Sequence, residues 1–231
     1  MNDEARAVAE RYARRGNADR YSALRPEVWQ TLQERQRALL RLLAANGITN
    51  LSALRLLEVG CGTGGNLLEL LRLGFAPQHL TGIELLPDRL EQARHVLPAA
   101  IALIAGDATA AAIAPASLDF VLQSTVFSSL LDDAFQQRLA DAMWAWLKPG
   151  GAVIWYDFTI DNPRNADVRG VPLSRLRALF PQGRVQPRRV TLAPPLARVL
   201  CRWHPGLYGV FNALPLLRTH VLAWVTKPAR G

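Results

Sequence analysis

The chain has 231 residues, 50% of them hydrophobic and 20% charged, with a mean hydropathy of +0.05. That balance excludes intrinsic disorder, a collagen-like repeat and a coiled coil, and fits one globular domain with a decorated end. The formal charge of +8 is unevenly spread: residues 168–231 contain no Asp or Glu and carry +11, whereas residues 1–167 carry −3.

All but two of the 27 basic residues are arginine, the exceptions being Lys148 and Lys227. Many arginines on a soluble surface need no special partner, but a C-terminal part with only one sign of charge is expected to face phosphate, an anionic membrane surface or nucleic acid. The two cysteines, Cys61 and Cys201, lie far apart and outside any CxxC pattern, which excludes a disulfide-stapled scaffold and a structural zinc site. No carboxylate or histidine cluster has metal-ligand spacing, so no metal is expected. Met1-Asn2-Asp3-Glu4 is not a basic leader, and no window of about 18 residues is free of charge. The cytoplasm is the expected compartment, with peripheral contact to the inner face of a membrane as a variant of it.

In chain order, residues 1–50 read as a polar helical cover, with a helix over 27–45 led by Pro26 and stopped at Asn46-Gly47. An alternation follows. Short apolar runs at 54–59, 80–84, 101–104, 118–122 and 152–158 are separated by helical patterns at 65–73, 87–96 and 132–147. Apolar runs interleaved with helices mark a parallel α/β sheet buried on both faces. After residue 160 come a turn-rich loop at 161–165, a short helix at 173–180, a strand at 185–192 and a last strand at 221–226. Residues 194–219, apolar, proline-punctuated and bearing Arg198, Arg202 and Arg218, are too long for a hairpin turn and read as a basic lid. The organisation is thus a cover at 1–50, a ligand-binding core at 51–160, and residues 161–231 as the second half of the same domain.

The most specific segment is Glu58-Val59-Gly60-Cys61-Gly62-Thr63-Gly64-Gly65-Asn66, at a strand-to-helix junction. Missing Cβ atoms let such a loop turn tightly beneath a ligand, and the helix amides behind it face that ligand. Gly60, Gly62 and Gly65 also satisfy GxGxxG, so a nicotinamide or flavin dinucleotide is a formal competitor. Glu58 argues the other way. A carboxylate beside the loop repels a pyrophosphate and suits a cationic amino acid moiety.

In these residues the chain resembles the class I S-adenosylmethionine-dependent methyltransferases, whose first motif reads ExGxGxG. Further matching segments are Gly82-Ile83-Glu84, Gly106-Asp107-Ala108, Leu118-Asp119-Phe120-Val121 and Leu147-Lys148-Pro149-Gly150-Gly151, in the same order and spacing. The resemblance covers residues 50–160. It implies a Rossmann-like α/β fold, with a seven-stranded, mostly parallel sheet containing one antiparallel strand, and S-adenosylmethionine as cofactor. It further implies that Glu84 accepts the ribose hydroxyls, that Asp107 and the Ala108 amide meet the adenine, and that Gly60, Gly62 and Gly64 pass under the methionine part, with Glu58 anchoring the loop or the amino group. Cys61, Asn66, Leu85, Gln123 and Tyr21 complete the expected cofactor set, Cys61 as a packing residue within the loop.

Methyl transfer from a sulfonium is an in-line displacement, so the protein mainly aligns the nucleophile and excludes water. A hydroxyl acceptor favours a general base at the ends of the fourth or fifth strand, and Asp157 is the first candidate, with His204 and His220 as rivals. His79 and His95 lie in the cofactor half and read as incidental. The fourth-strand loop, Gln123-Ser124-Thr125-Val126-Phe127-Ser128-Ser129, has neither the cysteine of cytosine C5 methylation nor the Pro-Pro-aromatic element of exocyclic-amine methylation.

The expected reaction is O-methylation of a small molecule, saccharide or lipid-linked anionic glycan; the lid and its arginines also resemble bacterial methyltransferases found with glycan assembly enzymes. Rival readings are an RNA methyltransferase using the basic C-terminal surface, a catalytically silent cofactor-binding partner protein, and a nicotinamide-dependent oxidoreductase. Against the RNA reading, no aromatic array forms a recognisable RNA module. Oligomeric state has no signature in the sequence.

Overall fold

The computed structural model describes residues 3–14, 22–161, 163 and 165–229. Two helices, α1 (Asp3–Arg14) and α2 (Pro26–Ala45), precede the alternating part. It runs β1 (Leu56–Val59), α3 (Gly65–Leu73), β2 (Leu80–Glu84), α4 (Pro87–Val96), β3 (Ala102–Ala105), β4 (Leu118–Ser124), α5 (Asp133–Trp146) and β5 (Leu147–Phe158). The C-terminal part adds α6 (Leu173–Leu179), β6 (Arg184–Leu192), α7 (Pro194–Trp203), α8 (Leu207–Asn212) and β7 (Arg218–Thr226).

The seven strands form one sheet in the order β3-β2-β1-β4-β5-β7-β6. Strands β1 to β5 pair in parallel, and β7 runs antiparallel to both β5 and β6. The fold is therefore the Rossmann-like class I arrangement, with a single antiparallel strand. All four residues of β1 are buried, as expected of a central strand with helices on both faces. Period-2 alternation sorts the side chains. Leu57, Val59, Val121, Val153 and Trp155 face α1, α5 and α6, whereas Leu56, Phe120, Leu122, Ile154 and Tyr156 face α2 and α3.

The sequence-expected helices agree with the observed ones to within a residue or two, and the differences fall at strand ends. Residue 54 is outside β1 because the Leu54 amide turns back to the Leu51 carbonyl, 3.1 Å away. Strand β5 begins five residues early, since Leu147 already pairs with Leu118 before the Pro149-Gly150 corner. Strand β7 begins at Arg218 because β6 and β5 supply partners on both sides. Pro187 lies within β6, which is tolerated because β6 is the sheet's edge.

Two consequences position the site. The carboxyl ends of β1, β2, β3 and β4 lie along one edge of the sheet, where the chain turns into helices. Strand β6 runs in the same direction as β5, so α7 and α8, which follow it, stand at that same edge. These two helices share a small core of Leu192, Ala197, Cys201 and Tyr208, and are tied to α2 by a 3.3 Å bond from the Thr31 hydroxyl to Tyr208.

Trp155 is almost wholly buried, with its ring 4.6 Å from Phe127 and 6.3 Å from Phe180 between centroids. Trp155→Ala removes this bridge between β5, the β4–α5 loop and the residue that follows α6. It is expected to cost about 3–5 kcal/mol in urea unfolding, and a loss below about 1 kcal/mol would contradict this account of the core.

Candidate functional site

The glycine loop leaves β1 through three left-handed residues, Gly60, Gly62 and Gly64. A Cβ on Gly60 would stand 2.6 Å from Val126 Cγ2, and one on Gly64 2.8 Å from Leu97 Cδ1, so both positions need glycine for space as well as for φ. The loop is held from β2: the Cys61 amide donates to the Ile83 carbonyl at 3.0 Å and the Gly62 amide to Glu84 Oε2 at 2.8 Å. Glu84 Oε1 accepts the Leu86 amide at 2.9 Å. One carboxylate thus fixes the loops after β1 and after β2.

A cavity of about 800 Å³, its open mouth included, lies over these strand ends. Of the expected cofactor residues, Gly60, Glu84, Leu85, Asp107 and Ala108 line it. Asp107 Oδ1 caps the short turn that follows by accepting the Thr109 amide and hydroxyl, each at 2.8 Å, and Oδ2 takes no bond among the described residues.

Other expected residues lie behind the cavity wall. Glu58 is fully buried; its Oε1 accepts the Asn66 amide nitrogen at 2.5 Å, and Asn66 Oδ1 in turn accepts from Arg35 at 2.6 Å. Glu58 Oε2 has no partner among the described residues. Burial pushes the Glu58 carboxyl up to about 7, against the pull of Asn66 and Arg35. Cys61 packs inward, with Sγ only 2.7 Å from where a Cβ on Gly82 would stand, and burial pushes its thiol far above the ordinary range. Gln123 is buried, and its side chain donates to the Tyr156 carbonyl at 3.3 Å and accepts the Val126 amide at 3.1 Å. Gly62, Gly64 and Asn66 are likewise absent from the cavity lining and belong to the loop's own framework. Tyr21 lies outside the described residues.

The three candidate bases stand away from the cavity lining. Asp157 has no exposed surface; Oδ2 accepts the Ser128 amide at 3.1 Å and Oδ1 the Phe158 amide at 3.0 Å. It braces the β4–α5 loop from behind. His204 is exposed between α7 and α8, where its Nδ1 accepts the Gly206 amide at 3.0 Å. His220 stacks on Tyr156 with centroids 5.1 Å apart, and burial, with Arg35 nearby, lowers its pKa to about 4, which makes it a weak base. None of the three lines the cavity.

Arg89 and Arg35 have prominent places that sequence reasoning did not assign. Helix α1 lies over the cavity through Ala5, Val8 and Tyr12, and Arg89 sits 4.5 Å from the Tyr12 ring centroid. The helix is fastened by Arg11, which bonds Glu4 at 2.6 Å and the Ser129 carbonyl at 2.9 Å, while Glu4 accepts the Leu131 amide at 2.8 Å. Tyr12 falls within residues 1–50, the helical cover expected from the sequence. Arg35 meets Asn66 and Ser124 at sequence separations of 31 and 89, which no local pattern reports. Thr125, in the cavity wall, adopts φ +58°, a strained value for a β-branched residue. Among the described residues no helix is long and apolar enough to cross a membrane, and no cluster of metal-ligating side chains occurs.

A methyltransferase-domain family model matches residues 56–151, the stretch from β1 to the start of β5's apolar run. The chain is 31% identical over 194 residues to a trans-aconitate 2-methyltransferase of Afipia carboxidovorans, covering 84% of this chain and 68% of that one. The chain belongs to the S-adenosylmethionine-dependent methyltransferases. Among solved structures, a methyltransferase of Archaeoglobus fulgidus shares the fold with a TM-score of 0.59 at 15% identity, covering 84% of this chain and 96% of that one. Phosphoethanolamine N-methyltransferase 2 of Haemonchus contortus, solved with S-adenosylmethionine, also has a TM-score of 0.59 at 15% identity, over 84% of this chain and 53% of that one.

The methyltransferase's buried Asp157 gives a pH test. Its carboxyl has a pKa raised from 3.8 to about 7 by burial, so the unfolded chain releases this proton near pH 4 while the folded chain keeps it to about pH 7. Its contribution to stability is therefore whole below pH 4, declines as the pH rises to about 7, and is level above. Asp157→Asn, which has no proton to lose, is expected to gain in stability relative to the parent between pH 5 and pH 7.5 in urea unfolding; a difference that does not change with pH would refute the raised pKa.

Proposed function

We propose that this methyltransferase holds S-adenosylmethionine across the ends of β1, β2 and β3 and transfers its methyl group to an oxygen of a small anionic acceptor, a carboxylate. The residues present fit the cofactor. Glu58, bonded to Asn66 and through it to Arg35, holds the glycine loop from behind, so that the loop passes under the methionine part. Glu84, with two backbone bonds already made, has lone pairs left for both ribose hydroxyls. Asp107 Oδ2 is the acceptor for the adenine amine. When bound, the cofactor supplies a sulfonium-activated methyl group; the chain supplies alignment and, through α1, exclusion of water.

The observation that carries the acceptor class is the place of the bases. Among the described residues the acids lining the cavity are Glu84 and Asp107, at its β2 and β3 end, while Asp157 is sealed behind the wall and His204 and His220 lie outside the lining. A hydroxyl with a pKa far above 7 would lack a proton acceptor there. A carboxylate is ionised at neutral pH and needs none. The relative named for trans-aconitate, a carboxylic acid, points the same way. The saccharide expected from the sequence would need the base that the cavity lining does not offer.

Two outcomes are expected. Glu84→Ala weakens S-adenosylmethionine binding by about tenfold or more in calorimetry, the scale of lost charge-assisted bonds; unchanged affinity would sink the ribose assignment. With methyl-labelled S-adenosylmethionine and a metabolite extract, the label enters a water-soluble product and is released as methanol by mild alkali, the mark of a methyl ester. Alkali-stable label in lipid or saccharide would restore the glycan reading, and nuclease-sensitive label would make the acceptor RNA.

A further inference from the structure

Five of the large hydrophobic side chains left most exposed in this protein fall within 18 residues of one another, on α7, α8 and the turn that leads into β7. They are Val199 (55% exposed), Trp203 (85%), Val210 (65%), Leu214 (55%) and Leu216 (89%). Large apolar side chains left this exposed on successive helices are a surface suited to contact with something apolar. It is not the by-product of a loose segment: the opposite sides of the same helices pack Ala197, Cys201 and Tyr208 into their own core, and Tyr208 is bonded to α2.

The charge around these side chains says what the contact is. Val199 and Trp203, one helical turn apart, share the exposed stripe of α7 with Arg198 and Arg202, which are also exposed and form no ion pair among the described residues. The lid belongs to the stretch 168–231, which has no acidic residue. A soluble protein partner or a second copy of the lid would bring its own hydrophobic patch. A like-charged copy would also set these arginines against each other. An anionic bilayer surface satisfies both halves of the pattern, since its headgroup boundary accepts Trp and Leu side chains while its phosphates meet arginine.

We infer that the outer face of α7, α8 and residues 213–216 docks on an anionic phospholipid surface, with Trp203 and Leu216 inserted at the headgroup boundary and Arg198 and Arg202 on phosphate. Helices α7 and α8 follow β6 and so stand at the edge of the sheet where the parallel strands end. The inference stands apart from the identity of the methyl acceptor.

The full chain is sedimented with vesicles of phosphatidylcholine and with vesicles of phosphatidylcholine mixed with phosphatidylglycerol. Binding is expected to the mixed vesicles, weakening as salt is raised. Partitioning should fall by about tenfold or more in Arg198→Glu/Arg202→Glu and again in Trp203→Ser/Leu216→Ser. All four positions are exposed, so the variants should keep the parent's thermal shift with S-adenosylmethionine, a check on folding that does not involve lipid. No binding to mixed vesicles, or binding that both variants retain, would overturn the inference. So would a dimer in light scattering that Trp203→Ser/Leu216→Ser dissolves while vesicles are ignored, since the face would then belong to a second copy.

Discussion

The glycine loop at the end of β1 is held in shape by one carboxylate, and the site depends on it. Glu84 reaches from β2 to accept the Gly62 amide and turns back to accept the Leu86 amide, so two loops that border the cavity share one anchor. The loop can sit there because Gly60 leaves room for Val126 and Gly64 leaves room for Leu97. A side chain at either position would push the loop away from β4 or from the end of α4. The same carboxylate lines the cavity, which couples the loop's geometry to whatever binds over it.

The opposite wall rests on buried polar groups that serve architecture. Residues 125–130 form a tight, partly strained loop whose backbone is satisfied by side chains. Gln136 donates to the Phe127 and Leu130 carbonyls at 3.0 and 2.9 Å, Asp157 accepts the Ser128 amide, and Arg11 caps the Ser129 carbonyl from α1. Buried backbone groups must find partners, and here side chains from three elements supply them. This explains why Asp157, at the strand end where a base is expected, is not available to substrate. It also explains how a short N-terminal helix is held over the cavity, through Glu4 and Arg11 bonded to that same loop.

Charge is organised on a larger scale than these contacts. Glu58 and Glu84 stand beside the glycine loop, while the lid at 194–219 carries Arg198, Arg202 and Arg218 and no acidic residue. The two regions share one edge of the sheet because β6, on the far side of β7, runs in the direction of β5. An antiparallel strand inserted at the right place thus brings a basic C-terminal segment beside an acidic N-terminal one.

The alternation of apolar runs and helices and the glycine loop were legible in the sequence, because each depends on a local period or on a backbone conformation that only certain residues adopt, and the ordered motifs at β2, after β3, in β4 and at the start of β5 were legible through the family resemblance. Glu84, Asp107 and Ala108 could be placed at strand ends for the same reason. What only the tertiary structure decided were the contacts between residues far apart in the chain. Arg35 joins Asn66, Tyr12 meets Ser129 and Arg89, and Asp157 and Gln123 turn toward backbone amides and carbonyls instead of the cavity. A side chain's environment at a strand end depends on which neighbouring loop reaches it first, and that is set by packing between elements, for which the local sequence carries no period and no turn signal.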